Sequence, residues 1–169
     1  LRVWSESPSV SQGLTPVEKV LDEVVAPLAA ESPVLLILID GMSVAVCREL
    51  LPDLLGQEWI PLNRTGRESL LSAGLATIPS ITEVSRTSLF SGQLRQGASA
   101  DERIGFSEYV ALRAHSKSGY PPVLFHKSAL RTDGDAVLAA DVREEIASPN
   151  RRVVGVVINA VDDQLLKGE

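Results

Sequence analysis

Three acids and one hydroxyl-rich segment stand where an α/β protein would display reactive groups. Asp40 ends the apolar run "PVLLILID" (33–40), and Asp162 with Asp163 ends "RRVVGVVINAVDD" (151–163). Between them, "ATIPSITEVSRTSLFSG" (76–92) carries seven hydroxyl side chains and one arginine, Arg86. Hard carboxylate oxygens converging with a hydroxyl suit metal-assisted phosphoryl or sulfuryl transfer. A divalent ion there would lower the pKa of the hydroxyl and neutralise charge on the transferring group. Thr82 is the candidate nucleophile. Each residue also has a plain role open to it. The acids suit turns or helix N-caps, Thr82 suits the N-cap of a helix beginning at Glu83, and Arg86 suits a surface salt bridge. The roles are compatible for Thr82, because a helix N-terminus attracts anions through its dipole and free N–H groups. Arg86, one turn into that helix, is within reach of a phosphate.

The elements that would position these residues alternate between strand and helix. "TPVE" (15–18) predicts a capped helix start, with Thr15 as cap, Pro16 at the first helical position and Glu18 closing a capping box. Val17, Val20, Leu21, Val24, Val25 and Leu28 follow at spacings of three and four, which predicts one buried stripe. The run 33–40 reads as a strand covered on both faces. A helix over 42–55 is expected to turn Val44, Cys47, Leu50, Leu51 and Leu54 inward. Residues 58–63 form an edge-strand candidate because of Pro61, and 69–78 a further strand. Helix is expected from Glu83 to near Gly92, within 100–115 (chiefly from Ser107 on), and over 135–147 with Leu138, Val142 and Ile146 inward. Strands are expected at 121–126 and 151–163. Such alternation predicts parallel βαβ units and a three-layer α/β sandwich, with 34–39, 122–126 and 153–158 as neighbouring parallel strands. Ligands of such sheets bind at the carboxyl ends of strands, where Asp40, Thr82 and Asp162 would converge.

Composition narrows the function classes. A length of 169 residues suits one domain, here an entry arm over 1–14 followed by the domain proper, 15–169. The net charge of −6 argues against a nucleic-acid-binding face, which needs clustered Lys and Arg. The pairs Arg64/Arg67 and Arg151/Arg152 read as solvated surface. Cys47 is the only cysteine, so no disulfide framework is expected and a reducing, cytoplasmic setting is the default. No run approaches a membrane span of roughly 20 apolar residues, and no signal peptide is visible. His115 and His126 are the only histidines, and each reads as structural. No zinc-finger or nucleotide-loop motif occurs. A regulatory phosphoacceptor domain would need a late Lys-Pro loop, which is missing.

The ordered combination "LILIDGMS", "IPSITEVSRTSLFSG" and "VVGVVINAVDD" resembles the PglZ domain of the alkaline phosphatase superfamily, found in bacterial phage-defence systems of the BREX type. The resemblance runs from about residue 33 to 166, and the Pro-Ser-x-Thr-x-x-Ser-Arg core is its most specific part. It implies an alkaline-phosphatase-like sandwich with a two-metal site, often zinc, and a metal-dependent phosphatase or phosphodiesterase activity. Asp40 would be a metal ligand, Thr82 the nucleophile and a ligand of the same metal, and Asp162, with Asp163 as alternate, a ligand of the second. Arg86 would bind substrate. Leu166 stands where phosphodiesterase relatives place a histidine. The later Asp-His pair and final histidine of the superfamily would lie beyond Glu169. The chain is therefore expected to be the first part of such a domain, empty of metal and inactive by itself. A degenerate phosphatase fold serving as a scaffold for other phage-defence proteins is the alternative.

Overall fold

Three apolar runs pair into one parallel sheet. In the computed structural model, which describes residues 14–62, 73–130 and 138–159, β2 (Val34–Ile39) and β4 (Val123–Phe125) flank β5 (Val153–Ile158) in the order β2–β5–β4. Both pairings are parallel, with Val34 opposite Val153 and Val123 opposite Val154. The expectation for these three strands is met. A second, minimal parallel pairing joins β1 (Thr15–Pro16) to β3 (Gly74–Leu75).

Side chains alternate across the sheet, and one face carries the core. Leu124, Val153 and Val157 pack there with Leu36 and Leu38. Over them lie Leu21, Val25, Ala26 and Ala29 of the first helix, Leu89 and Phe90 of α3 (Thr82–Ser91), Phe106 of α4 (Ser99–Glu108) and Leu112 of α5 (Val110–Arg113). The opposite face is covered unevenly. Val154 and Val156 are buried there, but Leu35 and Ile37, their neighbours in register, stay 42% and 49% exposed. Fold class is thus α/β with a parallel sheet. Two short helices, α6 (Lys127–Leu130) and α7 (Ala140–Ala147), follow β4. α7 buries Val142 and half-buries Ile146, and Leu138 is half-buried ahead of it.

Several helical expectations are corrected. Thr15 does not stand at the helix cap, a position that Pro16 takes: it is extended in β1, and its hydroxyl donates to Glu23. The first helix begins as a tight turn, Val17–Lys19, widens into a π turn, Leu21–Val25, and continues as α1, Ala26–Glu31. A π turn adds a residue to the repeat, so the stripe lands on Ala29 and leaves Leu28 49% exposed. α2 (Val44–Gly56) forms where expected, capped by the Ser43 hydroxyl accepting from the Val46 N–H, yet it buries no residue. Val44, Leu50 and Leu54 remain exposed. Residues 58–62 form no strand beyond an isolated bridge at Leu62; of the 69–78 expectation, 69–72 lie outside the described residues, and 73–78 hold only the two-residue β3. The helix of 100–115 is firmest before Ser107, not after it, because Tyr109 breaks it with an extended ψ of 115°. Arg151 and Arg152 are not freely solvated. Arg152 caps α1 through the carbonyls of Ala29 and Ala30, while Arg151 pairs with Glu145 and lies 5.4 Å over the Tyr120 ring. Arg64, Arg67, Asp162, Asp163 and Leu166 lie outside the described residues.

β5 owes its fit to a missing side chain. A Cβ at Gly155 would stand 2.7 Å from Leu124 Cδ1 and 3.2 Å from two ring atoms of Phe106. Gly155→Ala is therefore expected to destabilise by about 1–3 kcal/mol through overpacking. A urea titration showing no loss of stability would contradict this account of the helix–sheet contact.

Candidate active site at the carboxyl edge

The loop after α3 decides what meets what. Gly92 ends α3 in the left-handed conformation, φ 67°, which costs glycine nothing. The chain then turns back along the helix it has just left. The Arg95 N–H donates to the Ser88 hydroxyl at 3.1 Å, and the Gly97 N–H donates to the Glu83 carbonyl at 3.0 Å. α4 consequently starts level with the first turns of α3 and runs beside it. Phe90 and Phe106 meet edge to face with centroids 5.6 Å apart. Gly105 permits that approach, because a Cβ there would come within 3.1 Å of Ser91. One turn earlier on each helix stand Arg86 and Glu102, and they meet as well.

Arg86 Nε lies 2.9 Å from both Glu102 carboxylate oxygens, and Arg86 Nη1 donates to Asp40 Oδ2 at 3.1 Å. On the far side of Glu102, His126 Nε2 stands 2.6 Å from Oε2. The four side chains form a continuous Asp40–Arg86–Glu102–His126 network at the carboxyl ends of the outer strands. Asp40 directly follows β2, where its backbone N–H donates to the Ile158 carbonyl of β5, and His126 directly follows β4. The side chain of Glu102 is 1% exposed, that of Arg86 12% and that of Asp40 22%. Burial raises the Glu102 pKa, but hydrogen bonds from His126 and Arg86 outweigh it and hold the carboxyl below its ordinary range. An ionised Glu102 only accepts, so His126 donates from Nε2. His126 Nδ1 is buried and has no partner among the described residues.

Most of the hydroxyl-rich segment is structural. Thr77 Oγ1 donates to the Pro79 carbonyl and lies 2.7 Å from Ser85 Oγ, pinning the turn before α3. Ser88 holds the returning loop, and Ser91 donates to the Thr87 carbonyl. Thr87 is fully buried. Ser80 and Thr82 are exposed. Thr82 is the first residue of α3, with Ile81 at the cap position, so its hydroxyl is not the cap. It lies one turn, about 6 Å along the axis, ahead of Arg86. Arg86 is no surface ion pair, and Asp40 is no helix cap.

The structure thus brings Asp40 and Arg86 into contact, with Thr82 on the adjoining turn. Asp162 and Asp163 lie outside the described residues, although the chain reaches Asn159 at this same edge. Glu102 and His126 are the site members that sequence reasoning missed. No group of three ligand-type side chains gathered for a metal occurs among the described residues. The donors around Asp40 do not fit a divalent ion in this arrangement, because Arg86 already faces that carboxylate. At about 4 Å and an effective dielectric of about 20, a guanidinium and a divalent ion repel by roughly 8 kcal/mol. Neither the models of known protein families nor the curated proteins searched contain a match to this chain.

Removing Glu102 would leave Arg86 Nε without its carboxylate partner, and Glu102→Ala is expected to destabilise by about 3–5 kcal/mol. Glu102 ionises more readily in the folded state, so its contribution is present above the ordinary value of 4.5 and is lost as pH falls through the lower folded value. Glu102→Gln should flatten the stability profile below that pH. Urea titrations of both variants from neutral to acidic pH check this, and an unchanged acid limb would refute it.

Proposed function

We propose that this chain is part of a phosphoester-hydrolase domain of the PglZ type, alkaline-phosphatase-like in fold, with Thr82 as nucleophile. The observation that carries the reading is the Arg86–Asp40 contact. It ties α3, the helix whose first residue is the exposed Thr82, to the acid that ends β2. The α/β class, the parallel sheet and the position of Asp40 at the carboxyl edge agree with it. In this reading Thr82 Oγ attacks phosphorus and the ester oxygen leaves. Arg86 presents positive charge to the non-bridging oxygens, the Thr82 proton passes to solvent, and water then attacks phosphorus, breaks the Thr82 Oγ–P bond and restores the hydroxyl as the phosphate group leaves. The resemblance implies zinc on Asp40 with Thr82 and a second ion on Asp162 or Asp163, an arrangement in which Arg86 would first have to leave Asp40. The zinc would supply charge neutralisation and a more acidic hydroxyl. Because the donors at Asp40 do not fit an ion as arranged, no step is assigned to it.

A scaffold without turnover is the second reading, and one observation favours it. Leu35 and Ile37 on the sheet, and Val44, Leu50 and Leu54 on α2, leave apolar surface uncovered among the described residues. Such surface marks contact sites. Its partners would be other phage-defence proteins in a cytoplasmic complex.

The decisive assay is hydrolysis of a chromogenic phosphodiester by the full gene product, with zinc and with manganese. Thr82→Ala should lower turnover by several orders of magnitude, and acid quenching should trap the phosphoryl group, with the ester group that did not leave, on Thr82 in the parent. The 169-residue chain alone should turn nothing over. A full product that stays inert with every metal, while binding its partner proteins, would replace the enzyme reading by the scaffold.

A further inference from the structure

Three side chains of metal-binding type, Asp40, Glu102 and His126, adjoin one guanidinium or its immediate partner, and the usual occupant of such a setting is a cation. Here the cation belongs to the chain. Arg86 touches Asp40 at 3.1 Å and both oxygens of Glu102 at 2.9 Å, and His126 braces Glu102 from behind at 2.6 Å. The two helices that carry Arg86 and Glu102 are locked together one turn further on by Phe90 and Phe106. The guanidinium is thus held by packing as well as by charge.

We infer that Arg86 is the resident cation of this edge: it neutralises Asp40 and Glu102 from within and keeps divalent ions off Asp40. Glu102 and His126 are positioning residues for Arg86. The inference does not depend on the hydrolase reading, and it speaks against a metal on Asp40 within that reading. An arginine cation differs from a metal in what it can supply. It neutralises charge and donates hydrogen bonds, but it has no open coordination position and does not acidify a bound hydroxyl. Asp40 in this chain would therefore serve to aim Arg86 rather than to ligate.

Cobalt(II) titration of the chain, followed by its visible absorption, tests this without any catalytic assay. The parent chain should show no binding that Asp40→Asn removes. Arg86→Gln, which keeps an amide against Glu102 but drops the charge, should bind cobalt at least about tenfold more tightly. The double variant Arg86→Gln with Asp40→Asn should lose that gain. Circular dichroism establishes that each variant is folded. Parent binding that depends on Asp40, or a folded Arg86→Gln no tighter than the parent, overturns the inference. Should Arg86→Gln not fold, the parent alone decides through manganese broadening of the His126 ring resonances by NMR. Sharp signals support Arg86 as the resident cation, and broadened signals that Asp40→Asn restores overturn it.

Discussion

The fold and the candidate site both depend on the bifurcated contact between Arg86 Nε and the two oxygens of Glu102. Two charges buried this deeply cost several kcal/mol each to remove from water, and only good geometry with further partners offsets that. The partners are present: Asp40 takes the other side of the guanidinium, and His126 donates to the carboxylate. Because these four residues come from β2, α3, α4 and the end of β4, satisfying one charge aligns four elements. The sheet order places the acid and the histidine on strands either side of β5, and the helix pair fills the space between them. A shift of either helix by one turn would part the ions and the Phe90–Phe106 contact together.

That helix pair is unusual in its route. Sequential helices joined by a short loop normally run antiparallel, whereas α3 and α4 match Arg86 with Glu102 and Phe90 with Phe106 in the same direction. The chain achieves this by threading residues 93–97 back along α3, with Ser88 and the Glu83 carbonyl as anchors. The crowd of hydroxyls follows from this route. A loop lying against a helix has backbone groups that need partners, and small hydroxyl side chains meet that need without blocking close approach. Ser88 does so for Arg95 in both directions. Thr77 and Ser85 do the same for the incoming turn. The segment is dense in hydroxyls mainly because it is dense in backbone crossings.

Strand content was readable because buried parallel strands are apolar without interruption, and β2, β4 and β5 fall inside the runs that announce them. Where periodicity failed, another term outweighed it. The π turn in the first helix moved burial from Leu28 to Ala29, and no hydrophobic count contains that step. α2 has an apolar stripe and nothing over it among the described residues, which shows that a stripe predicts capacity to pack, not packing. At the site, Asp40, Thr82 and Arg86 stood out by type and position, while Glu102 and His126 did not. An acid inside a helix reads as solvent-facing, and a lone histidine after a short strand reads as structural. A signal existed in the repeated spacing: Arg86 precedes Phe90, and Glu102 precedes Phe106, each by four residues. Charge and ring on one face of two successive helices is the pattern of a shared interface.

The two functional readings make demands on different surfaces of the same molecule. Chemistry needs the carboxyl edge, where Asp40 and Arg86 are fixed, and the exposed Thr82 one turn before Arg86. Partner binding needs the sheet face of Leu35 and Ile37 and the stripe on α2, which the described helices leave uncovered. Since a strand turns alternate residues to opposite faces, β2 serves both: Leu36 and Leu38 join the core, Leu35 and Ile37 face outward, and Asp40 ends the strand at the edge. A protein seated on the outward face would press on the strand that carries Asp40. Through Asp40 it would bear on Arg86 and the first turn of α3. One strand thus connects the surface that would bind a partner to the edge that would react.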